Sequence, residues 1–290
     1  MFIRNKFLNT GTFFLLLAFL LVSADNRYKS GSDDINAKMI VDHLFKSVEN
    51  IKTLKYNLKL SERIEGKIDG TQSYIKLQVS PRKLYLYMLG PELIWIEGQN
   101  NGNALVNPKA FPYFNLNLNP YGSIMRKNQH HTIHEIGFEY MANLMKGIVK
   151  KSGDQFEKYF VYAGEEKWNN RTCYKIIISF PEFAYNYYTV LKGEDLVSIA
   201  RKLKVSEYMI LENNPKVKDY YGVKEGDQIK VPNAYAKLTI MLIDKQFMLP
   251  VSNKIFDDKG LFESYEYYNL QVNPKIADEE FTKSYKDYSF

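Results

Sequence analysis

The stretch YTVLKGEDLVSIARKL, residues 188–203, predicts a short strand, a turn and a helix in close succession. Residues 189–191 form the strand, and Gly193 lies in the turn that follows. Asp195 is a residue type that commonly caps helices. Apolar residues then recur at the i, i+3, i+4, i+7 spacing of one buried helical face: Leu196, Ile199, Ala200 and Leu203. The stretch therefore predicts a compact unit with its own small core.

The next thirty or so residues complete this unit. Ser206 is positioned to cap a second helix, and the Asn214-Pro215 pair ends it, because a residue before proline disfavours helix. Residues 229–232 predict a closing strand that pairs with the first. The order is βααβ, and the two ends of such a unit lie side by side.

These residues resemble a LysM module in three blocks that occur in order, YTVLKGEDLVSIARKLKVS, ILENNP and VKEGDQIKVP. LysM modules bind glycans that contain N-acetylglucosamine. The resemblance implies a shallow groove between the first strand-helix loop and the loop after the second helix. The resemblance also implies that seven residues line this groove: Gly193, Glu194, Asp195, Leu196, Leu211, Asn214 and Pro215.

Three positions depart from the family pattern. Glu194 and Asp195 stand where Asp followed by Thr or Ser is usual, and Val197 stands where an aromatic residue is common. The extra acidic side chain is expected to weaken contact with an anionic cell-wall polymer.

The flanking sequence predicts a second architecture. Residues 33–50 have near-helical apolar spacing, and residues 54–64, 73–79, 84–88 and 93–96 read as successive antiparallel strands. Residues 103–135, rich in turn signals, predict a long structured loop. Further strands are predicted at 158–162, 174–180, 238–243, 248–256 and 261–270. The last three complete the sheet begun before residue 183, so the fold class is α+β with an inserted βααβ unit.

The strands RKLYLYML and ELIWIEG are apolar at both parities, which predicts that both of their faces are covered. Two interpretations fit equally well. Either the sheet has an ordinary core on each side, or one face lines a hydrophobic cavity whose candidate residues are Tyr85, Tyr87, Leu93 and Trp95.

The host sequence is similar to LolA-like, lipoprotein-carrier-like half-barrels. The run ALVNPKAFPYFNLNLNPYGSIMRKNQHH and the ending FESYEYYNLQVNP carry this resemblance. It implies a curved antiparallel sheet closed by helices, with an inner face suited to an acyl chain or a hydrophobic peptide segment. The predicted domains are a half-barrel of residues 25–186 and 234–290 and a LysM insert of residues 187–233.

Residues 1–24 read as a secretory signal with Arg4 and Lys6 before an apolar run, and cleavage is expected near Ala24. The predicted location is periplasmic or secreted. Removing this segment lowers the formal net charge from +6 to +4, which is too mild and dispersed to predict a nucleic-acid partner. The lone cysteine, Cys173, lies in a strand-like run and is predicted to be buried.

The cluster His130, His131, His134 and Glu135 is the strongest candidate for catalysis or metal binding. Thr132 and Glu135 fit a capping box, with a helix expected to continue through Ile148. Because this spacing matches no zinc motif, the sequence predicts no metal, no cofactor and no catalytic residue. The prediction is a non-enzymatic envelope protein whose partners are peptidoglycan or another N-acetylglucosamine glycan and a lipid or lipoprotein. The alternative is a cell-wall hydrolase or metal-dependent enzyme that uses the histidine cluster.

Overall fold

Eleven antiparallel strands form one sheet in the computed structural model, which describes residues 35–290. The predicted signal segment and cleavage near Ala24 lie outside the described residues. Two further strands, β9 and β10, form a second sheet. In chain order the thirteen strands of residues 35–290 are β1 (Thr53–Ile64), β2 (Lys67–Gln78), β3 (Lys83–Tyr87), β4 (Glu92–Ile96), β5 (Ala104–Asn107), β6 (Leu116–Leu118), β7 (Phe160–Trp168), β8 (Arg171–Ser179), β9 (Tyr185–Thr189), β10 (Gln228–Pro232), β11 (Leu238–Asp244), β12 (Pro250–Asp257) and β13 (Gly260–Val272).

The α-helices lie between these strands. They are α1 (Ala37–Glu49), α2 (Ser123–Arg126), α3 (Glu139–Ser152), α4 (Phe156–Tyr159), α5 (Leu196–Leu203) and α6 (Glu207–Glu212). Helix α1 begins after Asn36, whose side chain accepts a hydrogen bond from the Met39 amide at 2.9 Å. Its apolar face is fully buried against the sheet and α3, through Ile40, Val41 and Leu44. No helix within residues 35–290 is long and apolar enough to cross a bilayer.

The strand order in the sheet is β6-β5-β4-β3-β2-β1-β13-β12-β11-β8-β7. Strand β8 pairs directly with β11, whereas β9 and β10 pair with each other in a separate two-stranded sheet. The chain therefore leaves the large sheet after β8, forms the βααβ unit, and returns beside the strand that it left. The α+β fold class is confirmed.

The segment predicted as one long loop contains two strands and a short helix, which corrects that prediction. Strand β5 ends at Asn107, directly before Pro108, and β6 ends at Leu118, shortly before Pro120. The prolines end these two strands without preventing them, because restriction of the preceding residue to extended backbone is compatible with a strand.

The C-terminal segment covers the outer face of the sheet over β3 and β4. Tyr85 stacks on Tyr288 with ring centroids 3.7 Å apart, and Ile94 is buried beside Phe281. Glu280 from the same segment forms ion pairs with Lys76 at 2.7 Å and Lys55 at 3.0 Å. The two apolar faces of β3 and β4 thus have different neighbours, the core on one side and this segment on the other.

We expect acid to weaken the attachment of this segment. Burial opposes charge on Glu280, but hydrogen bonds from Lys76 and Lys55 lower its pKa to about 2. Because this folded-state pKa lies below the ordinary value of 4.5, the contribution of Glu280 is present above pH 4.5 and is lost as the pH falls towards 2. In urea unfolding at pH 7, Glu280→Gln should lose about 1–2 kcal/mol.

The same substitution should make little difference at pH 2, where the native carboxyl is at its pKa and most of its contribution to stability is already lost. Asp278→Asn is the matched control, because Asp278 pairs with Lys83 while its side chain is 81% exposed, and it should cost less than about 0.5 kcal/mol. Equal losses for the two variants at pH 7 would contradict the role given to Glu280.

Candidate functional site

A cavity of about 700 Å³ lies between the large sheet and helix α3. Its walls include Leu116 from β6 at one edge of the sheet and Ile178 from β8, the neighbour of the strand at the other edge. One cavity can meet strands this far apart in the sheet only if the sheet curves around it. Helix α3 closes the open side with Met141 and Leu144.

Alternation along β1 supplies one wall of the cavity. Tyr56, Leu58 and Leu60 project into it, while Lys59 points to the other face and its side chain is 53% exposed. Glu62 continues the inward parity and is only 5% exposed. The wall thus changes from apolar to charged along a single strand.

Of the four residues predicted to line a cavity, Leu93 does so. Tyr85 lies on the outer face against Tyr288, and Tyr87 shares the parity of Tyr85, so the choice of that face of β3 was wrong. Trp95 packs edge-on against His134 with centroids 4.7 Å apart and donates to the Gly102 carbonyl, outside the cavity wall. Leu86 and Met88, at the opposite parity of the same stretch, line the cavity instead.

His131 lies at the polar end of the cavity. Its Nδ1 is 3.0 Å from Glu135 Oε2 and its Nε2 is 3.0 Å from Glu263 Oε2. Glu263 is fully buried and also accepts hydrogen bonds from the hydroxyls of Tyr235 at 2.5 Å and Tyr265 at 2.6 Å. The imidazole is therefore fixed between two carboxylates.

The charges of these groups depend on one another. Burial opposes charge on His131, but the Glu263 and Glu135 carboxylates outweigh it and raise the His131 pKa well above its usual range. Burial likewise opposes charge on Glu263, yet His131 and His130 hold its pKa well below the usual range. For Glu62 burial dominates, and its pKa is raised. The cavity therefore ends in a histidine whose charged form is favoured and in two carboxyls whose pKa values are shifted in opposite directions.

His130 and His131 share the buried Glu263 carboxylate, whose Oε2 lies 3.3 Å from His130 Nδ1, whereas His134 lies apart from them. His130 is fully buried and stacks between Tyr208 of α6 and Phe262 of β13, at 4.2 and 4.3 Å between centroids. His134 stacks on the Tyr121 ring, and burial together with Arg82 lowers its pKa.

The helix predicted to start at Thr132 is interrupted, which corrects that prediction. Glu135 accepts from the Thr132 amide at 3.0 Å, as the capping box requires, but only a 3₁₀ turn of residues Ile133–Glu135 follows. Gly137 then takes φ +112°, and a Cβ there would lie 2.9 Å from Leu77 Cδ2. The chain therefore turns before α3 begins at Glu139.

The seven predicted groove residues differ in their burial and in their contacts within the βααβ unit. Gly193 and Pro215 are exposed, and Gly193 has φ +78°, which a residue with a side chain adopts only with strain. Leu211 is half-buried, and Leu196 is completely buried in the core of the unit. Asp195 accepts from the Ser198 amide at 2.7 Å as the cap of α5.

The other two groove residues are held by local bonds. Asn214 donates to the Lys230 carbonyl and accepts from the Lys230 amide, both at 2.8 Å, which joins its loop to β10. Glu194 accepts from Lys202, Tyr188 and the Leu191 amide, and these bonds lower its pKa to about 2. Its charge is thus compensated within the unit.

Ion pairs attach the βααβ unit to the large sheet. Arg63 at the end of β1 donates to Glu212 of α6 at 3.0 and 3.1 Å and to both carboxylate oxygens of Asp257 in β12. The three side chains are 6%, 11% and 0% exposed. Arg126 and Glu207 form a second buried pair across the same interface, at 2.5 Å.

Glu62, Glu263 and Tyr235 were not identified from the sequence as site residues. They come from β1, from β13 and from the segment just before β11, so no local motif joins them. A signal was nevertheless present, because Glu62 and Glu263 occupy the same parity as the apolar residues of their strands. An acid in such a position indicates a polar site in a wall.

Together these features define an α+β protein whose sheet surrounds a cavity and carries an inserted βααβ module. That module is a LysM domain, since residues 188–232 match the family model described as LysM domain. Residues 51–191 match a second model, described as Protein of unknown function (DUF1571). No curated protein sequence matches the chain.

Several solved structures are similar to this chain at low identity. One is a LolA superfamily protein from Nitrosomonas europaea, with 10% identity, coverage of 87% of this chain and 99% of that one, and a TM-score of 0.33. Another is the lipoprotein LppX of Mycobacterium tuberculosis, with 12% identity, coverage of 83% and 97%, and a TM-score of 0.40. A third is the Pseudomonas aeruginosa MucA/MucB complex, with 10% identity, coverage of 85% and 60%, and a TM-score of 0.39.

Proposed function

We propose that this is an exported cell-envelope protein that binds peptidoglycan, or another glycan containing N-acetylglucosamine, through its LysM domain. Its cavity holds a lipid or another hydrophobic partner, and the protein acts by binding and not by catalysis. The observation that carries the second half is the cavity itself, about 700 Å³ and bounded mainly by apolar side chains. Pockets for small ligands commonly fall between about 300 and 1,000 Å³.

The polar end of the cavity supports an amphiphilic occupant over a purely apolar one. An acyl chain would pack against Leu58, Leu60 and Leu93, while a polar head would lie near His131 and Glu62. Burial of each methylene of such a chain contributes about 0.8 kcal/mol. Apolar contact with the walls thus supplies affinity, and the charged end fixes the direction of the ligand.

Native mass spectrometry of the gently purified protein tests the cavity. We expect a bound mass of a few hundred daltons or more, because the volume of the cavity lies in the range that commonly holds small ligands. Extraction with organic solvent should release an amphiphile. A clean mass of the unliganded chain after gentle preparation would contradict this half of the proposal.

Binding to insoluble peptidoglycan tests the LysM groove. Pro215→Glu places a carboxylate where the groove is expected to pack on the sugar face. Because binding would desolvate that charge, the apparent affinity for peptidoglycan should fall at least about tenfold, which is measured as a smaller cosedimented fraction. A point substitution is preferable to deletion of the module, since α6 shields Arg63 and His130.

Leu203→Glu is the matched control for that measurement. It makes the same kind of change at a partly exposed residue, but at the opposite end of α5 from Gly193. Normal cosedimentation of Leu203→Glu together with loss for Pro215→Glu supports the groove, whereas equal behaviour of the two variants contradicts it.

One observation favours a second candidate, a cell-wall hydrolase. His131 and Glu135 are hydrogen-bonded to each other in the cavity wall, the arrangement of a base and its orienting group. Zymography on cell-wall substrate separates the two candidates. Clearing that disappears in His131→Ala would overturn the binding-only proposal, and we expect no clearing by either protein.

A further inference from the structure

The polar end of the cavity brings together three potential metal ligands from distant parts of the chain. Glu62, His131 and Glu263 each offer one ligand atom, and these three atoms lie within 4.8 Å of one another. A cation bound at about 2.0–2.2 Å from oxygen and nitrogen needs ligand atoms that are roughly 3–4 Å from one another. Small side-chain rotations therefore suffice to bring these three atoms to that spacing. The three come from β1, from the turn before the 3₁₀ segment, and from β13.

Glu62 is the member of the set with spare capacity. Its Oε2 accepts from the His130 amide at 3.1 Å, whereas its Oε1 accepts no hydrogen bond from any residue in 35–290. That oxygen is open to the cavity and can take a ligand without the loss of an existing hydrogen bond. Since Glu62 is 5% exposed and lines the cavity, that oxygen can be reached only from within it.

The surrounding residues already orient the other two ligands. Glu135 holds His131 Nδ1 at 3.0 Å, which leaves Nε2 directed towards Glu263. This is the carboxylate–histidine pairing that usually fixes the ring of a metal-bound histidine. Tyr265 and Tyr235 in turn hold the two oxygens of Glu263.

We propose that Glu62, His131 and Glu263 bind one divalent transition-metal ion, with its remaining coordination positions open to the cavity. Two carboxylates and one imidazole suit Mn²⁺ and Zn²⁺ better than Ca²⁺ or Mg²⁺, which prefer all-oxygen sites. The ion replaces the proton that His131 Nε2 shares with Glu263 and neutralises the excess of buried carboxylates. Because ligands must lose their protons, its binding weakens as the pH falls.

Isothermal titration of the untagged, chelator-treated full chain tests the site with Zn²⁺ and Mn²⁺ separately. We expect one ion per chain for at least one of them. At about 100 times the dissociation constant, linkage predicts an increase in melting temperature of roughly 5–10 °C. Ca²⁺ and Mg²⁺ should give much smaller shifts. Absence of stoichiometric binding for both Zn²⁺ and Mn²⁺ would overturn the proposal.

Glu62→Gln should abolish the metal-dependent shift while it leaves the melting temperature of the metal-free protein within a few degrees, because glutamine has the same size and its amide oxygen can still accept from the His130 amide. Glu65→Gln is the matched control, being an exposed glutamate in the turn directly after β1, and should retain the shift. Equal metal binding by Glu62→Gln and the native chain would contradict the assignment.

Cobalt substitution gives a readout that does not depend on any variant. Co²⁺ bound through His131 and the two carboxylates should produce visible absorption bands that saturate at one equivalent, and X-ray absorption should detect one imidazole nitrogen. A saturable spectrum without an imidazole contribution would overturn the site. These measurements use neither glycan nor amphiphile, so their outcome is independent of the function proposed above.

Discussion

Arg63→Met should lower the free energy of unfolding by about 3–5 kcal/mol, and the melting temperature by roughly 10 °C. The guanidinium forms bidentate pairs with Glu212 and with Asp257, and both carboxylates are largely or fully buried. Removal of the cation leaves two buried anions without their main partner. The loss reflects that uncompensated charge more than the strength of the original pairs.

Lys259→Met is the matched control, because Lys259 contacts the same Glu212 oxygen at 3.2 Å but its side chain is 41% exposed. An exposed pair of this kind contributes less than about 1 kcal/mol. Urea unfolding followed by circular dichroism measures both variants. A loss below about 1 kcal/mol for Arg63→Met would show that the interface between α6 and the sheet does not depend on this residue.

Filling the cavity should displace its occupant. In the double variant Leu58→Trp with Leu60→Trp, two indole rings occupy space on the inward face of β1. If they exclude about four methylene groups of a bound chain, the cost is about 3 kcal/mol, or roughly a hundredfold in affinity. Native mass spectrometry of the variant should then show mainly the unliganded mass.

Lys59→Trp provides the matched control for the filled cavity. It introduces the same ring on the same strand, but on the exposed outer face. This variant should retain the bound mass in full. If the double variant still carries the ligand at the level of the Lys59→Trp control, the ligand lies elsewhere and the assignment of the cavity is wrong.

The sequence was most informative where structure is encoded locally. The LysM blocks, the cap at Asp195 and the three strands β11 to β13 depend on residues close together in the chain, and the structure agrees with them. The helix beyond Thr132 was predicted as continuous because its apolar spacing is continuous. The structure interrupts it at Gly137, whose φ of +112° is not helical and where Leu77 and Glu139 leave no room for a side chain.

The site was less accessible because its members meet only after folding. The two-sided apolar pattern of β3 gave no means to decide which face meets the cavity, and the C-terminal segment that covers Tyr85 lies about two hundred residues away. Proximity in sequence likewise drew attention to three histidines together. The structure sets His134 apart, and it joins His130 and His131 to acids from β1 and β13.

The Arg63 contacts also determine how freely the inserted module can turn. Strands β9 and β10 lie side by side, so the two chain connections to β8 and β11 define a single line, and on their own they would act as a hinge about that line. The bond from Arg63 to Glu212 is an attachment on α6, in a different element from either connection. A rigid module that is attached at three points not on one line cannot rotate relative to the sheet. A force applied to the module is therefore transmitted to the sheet as torque.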